Sequence, residues 1–408
     1  MNIKINHISV MTFLVMISCQ LMDVTIGPLK VWEFLSLLVF SLYLKKIHKA
    51  FTIFYLFFIY LLVSSLFVTY INNVDYSYFS VLKSKYMITI VRFFEFFLIF
   101  VFVNSYFGIV SQSQIKLNDL INKYLNYNFI FVTACLIGYL LSRLISYHFL
   151  SYGSNFRFKG FYVEGGPYGT FIATLIILEF FTFRKYLRLL VFSLALIFTY
   201  SKASYAFVSM SLLVWLFFKV KQLSPFLLPK NRLRFSLFIV FAISFSTLVV
   251  YKVGDNYVKD IGDLTSELKS RSNDTSFVMG RIAATHIGQN MVTNNPFMGV
   301  GLGNYSLVRN DPIYRGVFPK VYAWDLSGLG GILTLLLENG ILGVFLFIFS
   351  FFKFFKIKRE TIVYPLLFIL PFLLGCQLYF VYPWLYACFY LIYLQQNKQY
   401  INNKFFVR

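Results

Sequence analysis

Asn294 to Tyr305 reads NNPFMGVGLGNY. Asn295-Pro296 stops whatever helix precedes it, because the proline ring pushes the residue before it out of helical geometry. Gly299, Gly301 and Gly303 then alternate with Val300 and Leu302. Glycine at this spacing suits backbone that turns sharply or lets another surface come close. The run is no dinucleotide fingerprint, since no strand precedes it and no helix with an acidic residue at the right distance follows. Taken alone, a turn between a loop helix and a membrane helix is the plainer reading. Its setting gives it weight: it lies in the longest stretch, about 251 to 327, that is too polar for lipid.

Working outward, almost everything else is apolar. The chain has 408 residues, 59% hydrophobic, 21% aromatic and 13% charged, with a mean hydropathy of +0.70. That exceeds what a soluble core can bury, so the class is an all-α polytopic membrane protein. A hydrocarbon core of ~30 Å asks for apolar runs of about 17 to 25 residues. About twelve are present, near 7–22, 30–44, 50–70, 87–107, 127–147, 167–183, 187–201, 203–219, 235–251, 328–352, 361–380 and 381–395. The expected organisation is nine spans over 1–250 with a short external loop near 148–166, a large external segment over 251–327, and three spans over 328–408.

A net charge of +21 would suggest nucleic acid in a soluble protein. Here the basic clusters fall between alternate spans: Lys45, Lys46 and Lys49; Lys116 and Lys123; Arg184, Lys185 and Arg188; Lys219 to Arg234; Lys353 to Arg359; Lys398 to Arg408. That is the positive-inside pattern, which puts both termini in the cytoplasm and 251–327 outside. No nucleic-acid partner is needed. Cys19, Cys135, Cys376 and Cys388 all fall in apolar runs without metal spacing, so neither a disulfide nor a metal site is expected. The first span reads as an uncleaved helix.

Several polar residues stand out. Arg92 and Glu95 share one helical face and read as a structural ion pair. Asn155 to Gly169, NFRFKGFYVEGGPYG, interleaves Arg157 and Lys159 with aromatic rings including Tyr162, and ends in Glu164 and two glycines. Guanidinium groups fork onto phosphate oxygens, and aromatic rings suit the apolar faces of sugars; an interfacial aromatic belt is the alternative. Thr199 to Ser204, TYSKAS, places Lys202 where the chain re-enters lipid. From about 276 to 291, Met279, Ile282, Ala283, Ile287 and Met291 recur at helical spacing, with Arg281, Thr285 and Gln289 on another face: an amphipathic helix. Beyond the corner, Leu337-Glu-Asn-Gly-Ile-Leu-Gly343 puts Glu338 inside an apolar span, which lipid tolerates only against protein or a wet cavity.

These residues carry a resemblance. The sequence resembles the bacterial O-antigen polymerase and ligase superfamily (Wzy/WaaL type) in Arg157 to Gly160, Thr199 to Ala203, the Arg281-bearing helix leading to the Pro296 to Gly303 corner, and Glu338 to Gly343. The resemblance implies a GT-C-like, cofactor-free and metal-free inverting transfer of a glycan from undecaprenyl diphosphate to an acceptor hydroxyl, at the outer face of the inner membrane. It also implies a lipid-linked oligosaccharide as substrate and a polysaccharide chain-length regulator as a candidate partner. Arg157, Lys202 and Arg281 are then the cations for the diphosphate. Asp325 and Glu338 are the acids near the acceptor, and Lys159, Tyr162, Glu164, Gly299, Gly301, Gly303 and Asn304 are expected to bind substrate. The ligases carry a His shortly before the Glu-x-Gly helix; this chain has none between His286 and Glu338, which favours the polymerase. A flippase would show paired halves, and no such repeat is visible.

Overall fold

The computed structural model describes residues 7–43, 48–113, 115–153, 156–223, 264–325 and 327–405. The apolar run 235–251, the basic residues Lys230, Arg232 and Arg234, Asn155, and the start of the large polar segment lie outside the described residues.

A helical segment stands at each of the other apolar runs. In chain order they are α1 (His7–Gln20), α2 (Val31–Leu35, prolonged by a π turn and a 3-10 turn), α3 (Thr52–Ile71), α4 (Met87–Ser111), α5 (Leu117–Leu144), α6 (Gly165–Thr182), α7 (Tyr186–Thr199) and α8 (Lys202–Leu223). The polar segment holds short helices α9 (Leu264–Ser270), α10 (Thr275–Val278), α11 (Arg281–Asn294), α12 (Tyr305–Val308) and α13 (Pro312–Arg315). The chain closes with α14 (Gly331–Phe354), α15 (Val363–Leu373) and α16 (Val381–Phe405). Five helices, α3 with its leading 3-10 turn, α4, α5, α6 and α14, are long and apolar enough to cross a membrane. Two small hairpins sit between helices: β1 (Thr25–Ile26) with β2 (Leu29–Lys30), and β3 (Ser151–Tyr152) with β4 (Arg157–Phe158).

Lipid gives helices no hydrophobic reason to associate, so they are held by close packing and polar links. Trp384 of α16 is the hub. Its ring meets Phe54 and Phe58 of α3 at 5.1 and 5.3 Å and Phe368 of α15 at 5.0 Å. Phe58 in turn stacks on Phe96 of α4 at 4.6 Å. Gln20 donates to Asn128 at 2.7 Å and Tyr386 to Thr174 at 2.5 Å, tying α1 to α5 and α16 to α6. α14 packs on α3, and α11 lies across α14.

The amphipathic helix begins at Arg281 rather than near 276. Ile282, Ala283, Ile287 and Met291 are buried, while Arg281, Thr285 and Gln289 are exposed.

Candidate active site

The site starts from a broken helix. Gly340 adopts φ 65° and ψ −168° inside α14, between roughly two and three turns in from its N-terminal end. Such a break takes their helical partners from the carbonyls of Leu337 and Glu338 and the amides of Ile341 and Leu342, and lipid cannot replace them. The glycine corner replaces them. Val300 N donates to Leu337 O at 3.1 Å and Gly301 N to Glu338 O at 2.7 Å, while Ile341 N and Leu342 N donate to Pro296 O and Phe297 O at 2.8 and 3.2 Å. Four bonds to the corner therefore stand in for two lost helical ones. The approach is possible because Gly299, at φ 66°, has no side chain: a Cβ there would lie 2.4 Å from the Glu338 carbonyl carbon. α3 and α4 hold the other side, with Ser65 accepting from Leu302 N and from Asn339 at 2.8 and 2.9 Å, and Thr89 donating to Leu302 O at 3.0 Å. The corner, expected in water, is thus wedged between α3, α4 and α14, with Val300, Leu302 and Asn304 buried.

Beside the wedge opens a cavity with about 540 Å³ of atom-free space, including its open mouth. Arg92 and Glu338 are the one cation and the one carboxylate among the described residues that line it; Trp324, Tyr305 and Tyr379 supply aromatic walls. The backbone amides of Gly303 and Tyr305 face the Glu338 carboxylate. Arg92 donates to Glu95 at 2.7 Å, so the expected pair forms, and Lys30 joins the same carboxylate at 3.3 Å. Burial pushes the Tyr305 phenol up to about 12, against the lowering influence of Arg309. At neutral pH Tyr305 therefore offers a proton and cannot take one. Trp324 is braced at the mouth by the edge of Phe79, ring centroids 5.4 Å apart, and by Lys83, whose Nζ lies 4.9 Å from the ring centroid.

The remaining residues singled out in the sequence fall into three groups. Gly303 lines the cavity; Gly301 and Asn304 lie behind it in the corner, Asn304 donating to Thr69 at 2.8 Å. Arg281 is exposed and sits against Gly328, next in sequence to the cavity-lining Ser327: a Cβ on Gly328 would lie 3.5 Å from its Cγ. Arg157 and the Thr199 to Ser204 segment do come together, Arg157 Nε donating to Thr199 O at 3.1 Å, but as a second cluster outside the cavity lining. There Lys202 and Glu164 are exposed and Lys159 is half-buried.

Two residues are placed otherwise than expected. Tyr162 is 1% exposed and donates its hydroxyl to Cys19 O at 2.6 Å, so it packs the core and does not face substrate. Asp325 is buried in an ion pair with Arg309, which also donates to Val278 O at 3.0 Å. A carboxylate so engaged holds the polar segment together and is not free to receive a proton. Asp325→Asn is expected to cost about 3 to 5 kcal/mol, the usual price of leaving a buried charge unpaired; a lowered melting temperature with transfer activity retained below it would be the sign.

Lys30, Trp324 and Tyr379 were not legible beforehand. A lone cation opening the second apolar run was the only signal for Lys30.

With this geometry in view, the comparison with known families becomes specific. Residues 187–348 match the model of the O-antigen ligase family. This stretch, about two fifths of the chain, is similar to an O-antigen ligase family domain, which supports a place in the O-antigen polymerase and ligase superfamily. The match runs from α7 to α14 and so contains both the glycine corner and the broken helix that it repairs. Lys202, Arg281, Asp325 and Glu338 lie within it; Lys30, Arg92 and Arg157 precede it. No curated protein matches the chain. The match and the membrane-length helices together support an integral membrane protein of glycosyl-transfer type.

Proposed function

We propose that the protein is a repeat-unit polymerase: it transfers a growing glycan from undecaprenyl diphosphate to a hydroxyl at the non-reducing end of another lipid-linked repeat unit, with inversion and without a metal. The observation that carries this reading is Glu338, buried yet lining a cavity that Arg92 shares and that Arg281 borders. The acceptor oxygen attacks the anomeric carbon as its proton passes to the Glu338 carboxylate. The new glycosidic bond forms while the bond to the diphosphate breaks, and the electron pair leaves on the diphosphate oxygen. Arg281 serves the diphosphate beside the cavity, a well-placed donor contributing ~3 to 4 kcal/mol by comparison with oxyanion sites, while Arg157 and Lys202, in the second cluster, bind anionic parts of the substrate beyond it. Lys159 and Glu164 lie beside that second cluster, and Gly299, Gly301 and Asn304 shape the corner that presents Gly303 to the substrate cavity.

A second reading is a ligase that passes the finished glycan to lipid A-core, and the description of the matching family favours it. The absence of a His between His286 and Glu338 favours the polymerase. The lipopolysaccharide of a deletion strain separates them. One repeat unit on the core means polymerase; bare core with lipid-linked polymer means ligase.

The reading also requires the outer segment to face away from the cytoplasm, with both termini inside. The four native cysteines are buried, which leaves a low labelling background. A cysteine at position 273 should label from outside intact spheroplasts, and one at position 186, where Tyr186 is 87% exposed, should not. Labelling at 186 alone would invert the topology.

A further inference from the structure

The cavity holds a charge array that the sequence motifs leave unexplained. Arg92 stands over the Tyr379 ring with Cζ 4.2 Å from its centroid, and Lys30 Nζ lies 4.8 Å from the same centroid. Both cations close on Glu95, which is 5% exposed. Glu33, also buried, accepts from Lys30 N at 2.7 Å and adds a second carboxylate to the group. Arg92 carries its guanidinium to the cavity, where the facing carboxylate is Glu338.

That placement has a chemical use. When the acceptor proton arrives on Glu338, the carboxylate that faces Arg92 across the cavity loses its negative charge. In the same step the electron pair of the breaking bond moves onto the diphosphate oxygen. A preorganised cation in a site of low dielectric favours that development strongly, because nothing has to reorganise when the charge appears.

We propose that Arg92 is the cation inside the cavity that receives the developing charge of the leaving diphosphate, and that Lys30, Glu95 and Tyr379 are positioning residues that hold it there. This rests on the cavity being the transfer site. The ring of Tyr379 is a fixed surface on which two long, flexible cations are set side by side. The contact with both cations is made by the ring, so removing the hydroxyl should matter little.

The test measures kcat and KM separately for purified protein acting on a lipid-linked repeat unit. Arg92→Ala should lower kcat by roughly 10² to 10³-fold, and added guanidinium should restore part of the loss. Tyr379→Leu should lower kcat about tenfold, and Tyr379→Phe, which keeps the ring, should recover most of it. If Arg92→Ala does not fold, Arg92→Lys and the two Tyr379 variants decide the matter, with Arg92→Lys expected to lose kcat because an ammonium lacks the planar fork. Equal losses in Tyr379→Leu and Tyr379→Phe, an effect confined to KM, or an Arg92→Lys enzyme as fast as wild type would each overturn the proposal. Wild-type protein that transfers no glycan would overturn the reading of the site instead.

Discussion

Glu338→Gln should lower kcat for glycan transfer by roughly 10² to 10⁴-fold, the range that general base catalysis supplies, and should leave the fold intact. The carboxamide matches the carboxylate in shape, and its oxygen still accepts from the amides of Gly303 and Tyr305 that face this position. What it loses is the capacity to take a proton. The measurement is turnover of a lipid-linked repeat unit by purified variant and wild type, beside a melting curve for each. A variant that is inactive and also melts early would make Glu338 a structural residue of α14.

A different loss is expected from Gly299→Val. The position has φ 66°, and its Cβ would stand 2.4 Å from the Glu338 carbonyl carbon and 2.5 Å from Leu337 O. Those neighbours are backbone and cannot swing aside. A β-branched residue also resists this φ, at about 1 to 3 kcal/mol, and pushing the corner away forfeits hydrogen bonds worth roughly 1 kcal/mol each, with buried carbonyls left bare. We expect abolished activity and a protein destabilised by several kcal/mol on these grounds. Gly301→Val should also inactivate, with a smaller effect on stability, because its Cβ would meet side chains, Asn304 Nδ2 at 2.5 Å and Thr69 Oγ1 at 3.0 Å. A fully active, normally melting Gly299→Val protein would show that the corner does not seat in the helix break.

The glycines of the corner and the Gly340 break were each visible in the sequence, one as a turn and the other as a flaw in a membrane span. Their union was not. It depends on backbone groups some 40 residues apart finding each other, and unsatisfied carbonyls leave no mark in a residue pattern. The helices were legible because lipid imposes a length and an apolar composition on every span. The faces of α11 were legible for the similar reason that water and protein interior alternate along it.

Charged residues were read less well, since a charge says nothing about its partner. Asp325 drew attention through its place in sequence before Glu338, yet its partner Arg309 lies across a loop. Lys30 pairs with a carboxylate 65 residues away, and the structure joins it to an Arg92–Glu95 pair that helical spacing did reveal. Tyr162 looked like one more ring of an aromatic, cation-rich loop. Its burial follows from how that loop folds back over α1, where Cys19 O accepts its hydroxyl.

The central claim is that this cavity transfers glycan using Glu338 and the cations around it. The most direct measurement is the formation of long-chain glycan by purified protein given only lipid-linked repeat units, in the presence of EDTA. The account predicts a ladder of chain lengths from wild type and from Lys320→Ala, whose side chain is exposed on the outer loop. It predicts no ladder from Glu338→Gln, and a rate lowered by roughly 10² to 10³-fold for Arg281→Ala. A Glu338→Gln protein that builds the ladder at the wild-type rate would contradict it.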